Sequence, residues 1–336
     1  MINIAITYNK RTGKNEEQGE LYYPEEIDHI INAIDSLGYR TTAVEVSGPP
    51  DEMVDRLLAA SPDLIFNIAE GRSFQGIARE AYYPVIFELL GLPYTGGKPS
   101  VLYASLDKRL TAKLLKVRGI TIPKGAVLTP EKPEIPDEIP SPLFLKPNYE
   151  GSGKGISQES VVEDREEAQQ RVRELLEKYS SGVLVEQFIS GRELTVPFLD
   201  DYPGTLLEIV EHDFSKARGK YNIYDYELKM TDENVRTHCP PHLDMDLRLR
   251  ILDYAARIRK ALPCYDFGRI DLRLREDGTI YFLEINPLAR LMPDGSLIIA
   301  AKEKGLEYEE VFNCIIKSAA RRNRIPLDGT KRKQEK

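Results

Sequence analysis

The stretch Arg269-Ile270-Asp271-Leu272-Arg273-Leu274-Arg275 and the stretch Thr279-Ile280-Tyr281-Phe282-Leu283-Glu284-Ile285-Asn286 flank an Asp277-Gly278 pair. Both alternate in side-chain character as half-buried strands do, and Asp-Gly is a strong two-residue turn signal, so the spacing predicts an antiparallel hairpin. If Glu276 faces Thr279, Asp271 falls opposite Glu284 and Arg269 opposite Asn286, with all four on one face. The other face then carries Ile270, Leu272, Leu274, Tyr281, Leu283 and Ile285, an apolar surface for a core. Two carboxylates opposed across a ladder are about 5 Å apart and repel unless a cation lies between them. Asp271, Glu284 and the amide oxygen of Asn286 form an oxygen-only set that suits Mg²⁺ with water and phosphate. A solvated face neutralised by Arg269, Arg273 and Arg275 satisfies the same pattern.

Upstream, an apolar strand runs into Lys146-Pro147-Asn148-Tyr149-Glu150-Gly151-Ser152-Gly153-Lys154-Gly155. These glycines let backbone N–H groups approach a phosphate while Lys146 or Lys154 supplies charge; a plain turn between strands is the competing reading. The loop is not a Walker A sequence, because Asn148 stands where Gly is required and Gly155 where Ser or Thr would hold Mg²⁺. Val183 to Ile189 is an apolar strand interrupted by Glu186-Gln187, polar groups suited to an adenine edge. Glu193, a few residues on, can hold ribose hydroxyls or lie on a solvated face.

The first 70 residues read as strand, helix, strand, helix, strand: Ile2, Ile4 and Ile6 alternate, and apolar residues recur at helical spacing between Pro24 and Gly38. A helix over 51–60 and strands over 41–46 and 64–68 complete a βαβαβ unit, a parallel Rossmann-like lobe. It lacks a GxGxxG after the first strand, which removes the support for a dinucleotide site. A boundary is placed near residue 104. The five prolines between Thr129 and Pro142 mark a surface connection. The chain has 336 residues and a net charge of −8, a balance that disfavours nucleic acid held by phosphate contacts. Cys239, Cys264 and Cys314 lie far apart without CxxC spacing, and no apolar run approaches about 18 residues, so a cytoplasmic protein without membrane partners is expected. The basic end, with Arg321, Arg322, Arg324, Lys331, Arg332 and Lys333, reads as a flexible tail.

Taken together, residues 146–155, 185–196, 224–229 and 268–286, supported by Leu92 to Gly96 and Asp107-Lys108, resemble the ATP-grasp enzymes, most closely the D-alanine–D-alanine ligases. The resemblance spans about residues 1–318. It implies an α/β fold of three lobes: a Rossmann-like lobe (1–104), a central subdomain with a glycine-rich lid (105–185), a C-terminal subdomain with the metal hairpin (186–318), and a tail (319–336). It implies that Lys108, Lys146 and Lys229 contact ATP phosphates and that Glu186, Gln187, Phe188 and Ile189 form the adenine hinge. Glu193 would bind ribose, Phe282 would touch the nucleotide, and Glu150, Gly151, Ser152 and Gly153 would close over it from the lid. Ser152 would lie near the reacting carboxylate, and Arg269 would stabilise the acyl phosphate and the tetrahedral intermediate. Asp271, Glu284 and Asn286 would hold two Mg²⁺ ions. Small carboxylate and amine substrates follow from the resemblance, as does the possibility of a homodimer.

The amino-acid half departs from the family pattern. Its glutamate-bearing loop after strand one is absent, leaving Glu20 or Glu25 as substitutes. Glu70 replaces a histidine, Met230 a tyrosine, and Ala289-Arg290-Leu291 a Pro-Gly-Met turn. Ser296 is the counterpart of the serine that binds the acceptor carboxylate, and Arg290 is assigned to an acidic group on the substrate. The expected activity is ATP-dependent amide formation through an acyl phosphate on substrates other than two D-alanines. The alternatives are a cell-wall D-alanine–D-alanine ligase and an ATP-binding partner protein that has lost ligation.

Overall fold

A computed structural model describes residues 1–71, 76–217, 219–225, 228 and 235–327. The N-terminal lobe is a parallel sheet in the order β2-β1-β3, formed by β1 (Asn3–Tyr8), β2 (Arg40–Glu45) and β3 (Leu64–Asn67). Helix α1 (Pro24–Ser36) begins with proline at its first turn, and Glu26 reaches back to the residue before it, its Oε2 accepting from Tyr23 N at 2.8 Å. Its face of Ile27, Ile30 and Ile34 is buried. Helix α2 (Pro50–Ala60) follows, then α3 (Arg79–Leu89) and α4 (Pro99–Leu106). Asp107 ends α4 and caps α5 (Lys108–Lys116), accepting from Leu110 N at 2.9 Å.

The central lobe is an antiparallel sheet in the order β4-β7-β5-β6. Its strands are β4 (Gly125–Leu128), β5 (Leu143–Pro147), β6 (Val161–Val162) and β7 (Val183–Gln187), with α6 (Arg165–Lys178) on one face. Its core of Leu143, Leu145, Val172, Val183 and Val185 also takes in Ile135 and Ile139. The proline-rich connection is therefore partly a core element; Arg165 fastens it by donating to the carbonyls of Ile135 and Ile139.

The C-terminal sheet runs β10-β9-β8-β11-β12. It comprises β8 (Arg192–Leu199), β9 (Val210–Asp213), β10 (Arg236–His238), β11 (Phe267–Leu274) and β12 (Ile280–Asn286), backed by α7 (Met245–Ala261). Residues 105–120, assigned by sequence to the central subdomain, pack here instead: Ala112, Leu115 and Ile120 share a core with Ile251, Ile258, Leu272 and Phe282. Helices α8 (Ser296–Glu303) and α9 (Tyr308–Arg322) turn back on the N-terminal lobe, where Phe66 stacks on Phe267 at 6.5 Å and meets Phe312 at 5.7 Å. The first and last lobes thus share one core, and the central lobe has its own. The tail expected from residue 319 is in fact fixed through Leu327: Ala319, Ala320 and Ile325 are buried, and Arg322 is anchored on Asp266 at 2.7 Å. The remaining basic residues, Lys331, Arg332 and Lys333, lie outside the described residues. No helix among the described residues is long and apolar enough to cross a membrane.

Candidate active site

β11 and β12 pair with Arg269 opposite Asn286 and Asp271 opposite Glu284. The path to this register differs from the sequence expectation. Arg275 N donates to Thr279 O at 3.0 Å, so the turn holds three residues, ending in Gly278 at φ +78°. The pairing is offset by one on the turn side, and a bulge between Asp271 and Leu272 restores it at the site. As a consequence Ile280 and Phe282 face the core, with Phe282 1 % exposed, while Tyr281 and Leu283, expected there, are half-exposed.

Asn286 Nδ2 donates to Asp271 Oδ2 at 2.9 Å and to Glu284 Oε1 at 3.2 Å; Arg269 Nε donates to Asp271 Oδ2 at 3.2 Å and Thr195 Oγ1 to its other oxygen at 2.8 Å. Burial pushes the Asp271 carboxyl above its ordinary range, Arg269 opposes this, and Glu284 adds to it. Burial works against the charge on Arg269, but Asp271 and Glu284 outweigh it and hold the guanidinium firmly cationic. Among the described residues no group of three or more His, Cys, Asp and Glu converges as a metal site. What converges is two carboxylates and an amide, a set that leaves positions to water and phosphate, as Mg²⁺ requires. The donor set therefore fits Mg²⁺.

Around this set stand the lysines. Lys108 Nζ lies 3.7 Å from Glu284 Oε2 and donates to the carbonyl of Glu150, which ties the hairpin to the lid. Lys146, on β5, pairs with Glu186 of β7 at 2.7 Å, both nearly buried. The chain leaves β7 through Gln187, Phe188 and Ile189 to enter β8, so these residues connect the central and C-terminal sheets. Phe188 packs edge-on to Phe144 and Tyr221. Glu193 lies opposite Arg273 and is paired with it at 2.8 Å, while Arg273 also donates to Asn222 O at 2.7 Å.

The lid meets the N-terminal lobe through buried charges. Lys154 Nζ lies 2.5 Å from Glu20 Oε2 and 2.7 Å from Glu150 Oε2; Arg79 Nη2 lies 3.2 Å from Glu20 and 3.6 Å from Glu150. Arg79 Nη1 donates to Tyr149 O at 2.7 Å, Ser152 Oγ to Gly19 O at 3.3 Å, and Gly155 N to Glu16 Oε1 at 2.6 Å. A Cβ on Gly151 would lie 2.2 Å from Glu20 Oε1, so only glycine permits this approach. Gly153, at φ +74°, turns the loop back. Of the two glutamates left open by sequence, Glu20 is in this cluster and Glu25 is exposed. Lys154 and Arg79 outweigh burial and hold Glu20 down at about 2. Burial, with Glu20 and Glu80 adding to it, pushes Glu70 well up, and burial with Glu20 pushes Glu80 up to about 7 against Arg79. Sequence reasoning missed Arg79, Glu16 and Glu80, which carry no local motif.

Arg290 donates to Glu26 of α1 and lies over the Tyr22 ring at 5.9 Å. Ser296, in the first turn of α8, has its Oγ 3.4 Å from His212 Nε2. His212 had no role in the sequence reading. Lys229 and Met230 lie outside the described residues.

A family model described as the D-ala D-ala ligase C-terminus matches residues 122–317. The chain is 30 % identical over 288 residues to a D-alanine–D-alanine ligase of Aquifex aeolicus, with 85 % of this chain and 92 % of that protein covered. To a D-alanine–D-alanine ligase of Bordetella petrii it is 34 % identical over 270 residues, covering 79 % and 78 %. The crystal structure of a D-alanine–D-alanine ligase from Bacillus anthracis complexed with ATP superposes with a TM-score of 0.77 over 96 % of this chain and 99 % of that one, at 21 % identity, a likeness of fold.

Proposed function

Because the chain belongs to the D-alanine–D-alanine ligase family of ATP-grasp enzymes, we propose that it joins a carboxylate to an amine with ATP, through an acyl phosphate, on amino-acid-like substrates other than two D-alanines. The observation that carries the reaction type is the convergence of Asp271, Glu284, Asn286 and Arg269 on one sheet face beside Lys108. Phosphoryl transfer is catalysed by position and by charge at the transferring group, and this face supplies both. Asp271, Glu284 and Asn286 would hold two Mg²⁺ ions, which when bound neutralise phosphate charge and orient the transfer. Lys108 and Lys146 place cations toward the phosphates. The hinge Glu186 to Ile189 offers backbone and side-chain partners to adenine, and Glu193 offers oxygens to ribose. Arg269, kept cationic by two carboxylates, faces the negative charge that develops on the acyl phosphate and the tetrahedral intermediate. The lid loop 150–153, pinned to the N-terminal lobe by Lys154, excludes water from an intermediate that water would destroy.

The divergent substrate half supports the second part of the reading. Glu20 is committed to two cations and Arg290 to Glu26, an arrangement built around charges of this chain. The names of the relatives favour a second reading, D-alanine–D-alanine ligation itself. ADP release with Mg·ATP, measured against D- and L-amino acids singly and in pairs with mass detection of products, decides between them. Turnover with a pair other than two D-alanines supports the proposal; turnover with D-alanine alone supports the second reading; silence overturns both.

A further inference from the structure

We propose that Glu16 is a positioning residue that holds the glycine-rich lid shut during the life of the acyl phosphate, an inference that rests on the ligase reading. Between Glu150 and Gly155 the lid belongs to no helix or strand, and its internal bonds are two turns, Lys154 N to Gly151 O and Ile156 N to Gly153 O, both at 3.0 Å. Such a loop takes its position from its neighbours. The neighbour is the loop between β1 and α1, which is held by hydrogen bonds of its own. Gln18 Oε1 accepts from Thr12 N at 2.7 Å and from Gly13 N at 3.0 Å, Arg11 N donates to Tyr22 O at 2.8 Å, and Tyr22 N donates to Asn9 O at 3.2 Å. Glu16 opens the 3-10 turn Glu16–Gln18 on this frame. One of its carboxylate oxygens accepts from Gly155 N at 2.6 Å and the other from Lys178 Nζ, at the end of α6, at 3.0 Å. A single side chain of the N-terminal lobe thus joins the last glycine of the lid to the helix of the central lobe.

The contact is suited to positioning rather than to stability. Both partners of the Glu16–Lys178 pair are partly exposed, so the pair adds little to the fold. Burial raises the Glu16 carboxyl, but the Gly155 N–H and Lys178 outweigh it and hold it below the usual carboxylate range. A cavity of about 400 Å³ bordered by Glu16, Leu21, Arg79, Tyr149 and Tyr179 lies between the two loops, so on this side the lid rests on polar contacts and not on close packing. An opened lid admits water. Water on the acyl phosphate returns the free carboxylate and inorganic phosphate, and each such event leaves one ADP without an amide.

The ratio of ADP to amide tests this, because damage to the fold lowers both products together, whereas a loosened lid raises their ratio. With Mg·ATP and the amino-acid pair that the wild-type protein joins, Glu16→Ala is expected to raise ADP per amide by about threefold or more. Glu16→Gln keeps a carbonyl oxygen for Gly155 N and should stay close to the wild-type ratio. Hydrogen exchange without nucleotide gives a second reading: the Gly155 amide should exchange at least about tenfold faster in Glu16→Ala. An unchanged ratio or unchanged exchange in Glu16→Ala would overturn the assignment, as would a Glu16→Gln variant as uncoupled as Glu16→Ala. No amide from the wild-type protein would overturn the ligase reading itself, and the inference with it. Should Glu16→Ala fail to fold, which thermal unfolding reads directly, Lys178→Ala decides. It leaves Gly155 N its acceptor and frees the other end of the carboxylate, so a smaller rise in the ratio supports the latch and no rise overturns it.

Discussion

Lys154 Nζ lies 2.5 Å from Glu20 Oε2, with both side chains almost fully buried, although 134 positions separate them in the chain. One belongs to the glycine-rich lid and the other to the loop after β1, so this pair joins two lobes whose cores are separate. Arg79 completes it from a third element. Burying such charges is costly, and the geometry returns that cost only while every partner is present.

Glu20→Gln should therefore be strongly destabilising. Lys154 and Arg79 would keep Glu150 as their shared carboxylate, which lies 2.7 and 3.6 Å away. A loss of about 3–5 kcal/mol is expected from breaking one partner of a buried ion pair, read by denaturant unfolding. A change below about 1 kcal/mol would show that the pair is not formed in solution.

The same cluster predicts a pH profile of stability. Glu20 is held at about 2, below its unfolded value, so its contribution is present above pH about 4.5 and is lost as pH falls toward 2. Glu80 is raised to about 7, so it takes up a proton on folding and costs stability at pH 7 and above; that cost fades as pH falls toward about 4.5. Glu80→Gln should flatten the rise in melting midpoint between pH 7 and 5, leaving the share that Glu70 contributes from the same cluster, and leave the acid limb. An unchanged slope in that variant would remove Glu80 from the account.

The hairpin was legible because alternation and an Asp-Gly turn are local signals, yet its register reached the right answer by compensation. The three-residue turn displaced the pairing, and the bulge beside Asp271 displaced it back at the site. Bulges leave no clear mark in composition, so Phe282 and Tyr281 exchanged faces unseen. The segments 146–155 and 183–189 were legible because each is a single continuous stretch of sequence. Glu20 with Arg79 and Lys154, and His212 with Ser296, were not, because each joins residues that only tertiary folding brings together.

Glu284→Gln should leave the fold almost intact and remove Mg²⁺-dependent turnover. Its side chain is partly exposed and its lysine partner is 3.7 Å away, so the lost ion pair is worth less than about 1 kcal/mol, offset by relief of repulsion with Asp271. ADP formation should fall at least about a hundredfold, since a metal's charge stabilisation is worth several kcal/mol. A fully active variant would sink the metal assignment.

Arg290→Gln separates a structural from a substrate role for that side chain. Its partner Glu26 caps α1, but Arg290 is 40 % exposed, and pairs of this kind contribute little. A shift in melting midpoint of at most a few degrees is expected, together with a raised KM for one substrate. Unchanged kinetic constants would confine Arg290 to its contact with α1.

Arg322→Ala should be among the most damaging changes outside the site. Asp266 is fully buried, and its carboxylate accepts from Arg322 Nη2 at 2.7 Å, Gly96 N at 2.7 Å and Ser318 Oγ at 2.6 Å. Burial already pushes this carboxyl up, and Arg322 is the cation that opposes that rise. The guanidinium also fills the space between the rings of Tyr94 and Tyr265, at 5.8 and 5.0 Å. Removing it leaves an uncompensated charge and a void, at about 3–5 kcal/mol. Asp266→Asn in the same background removes the charge but not the void, so it should recover part of that loss. If the double variant is no more stable than Arg322→Ala, packing rather than charge accounts for the anchoring of α9 on the first lobe.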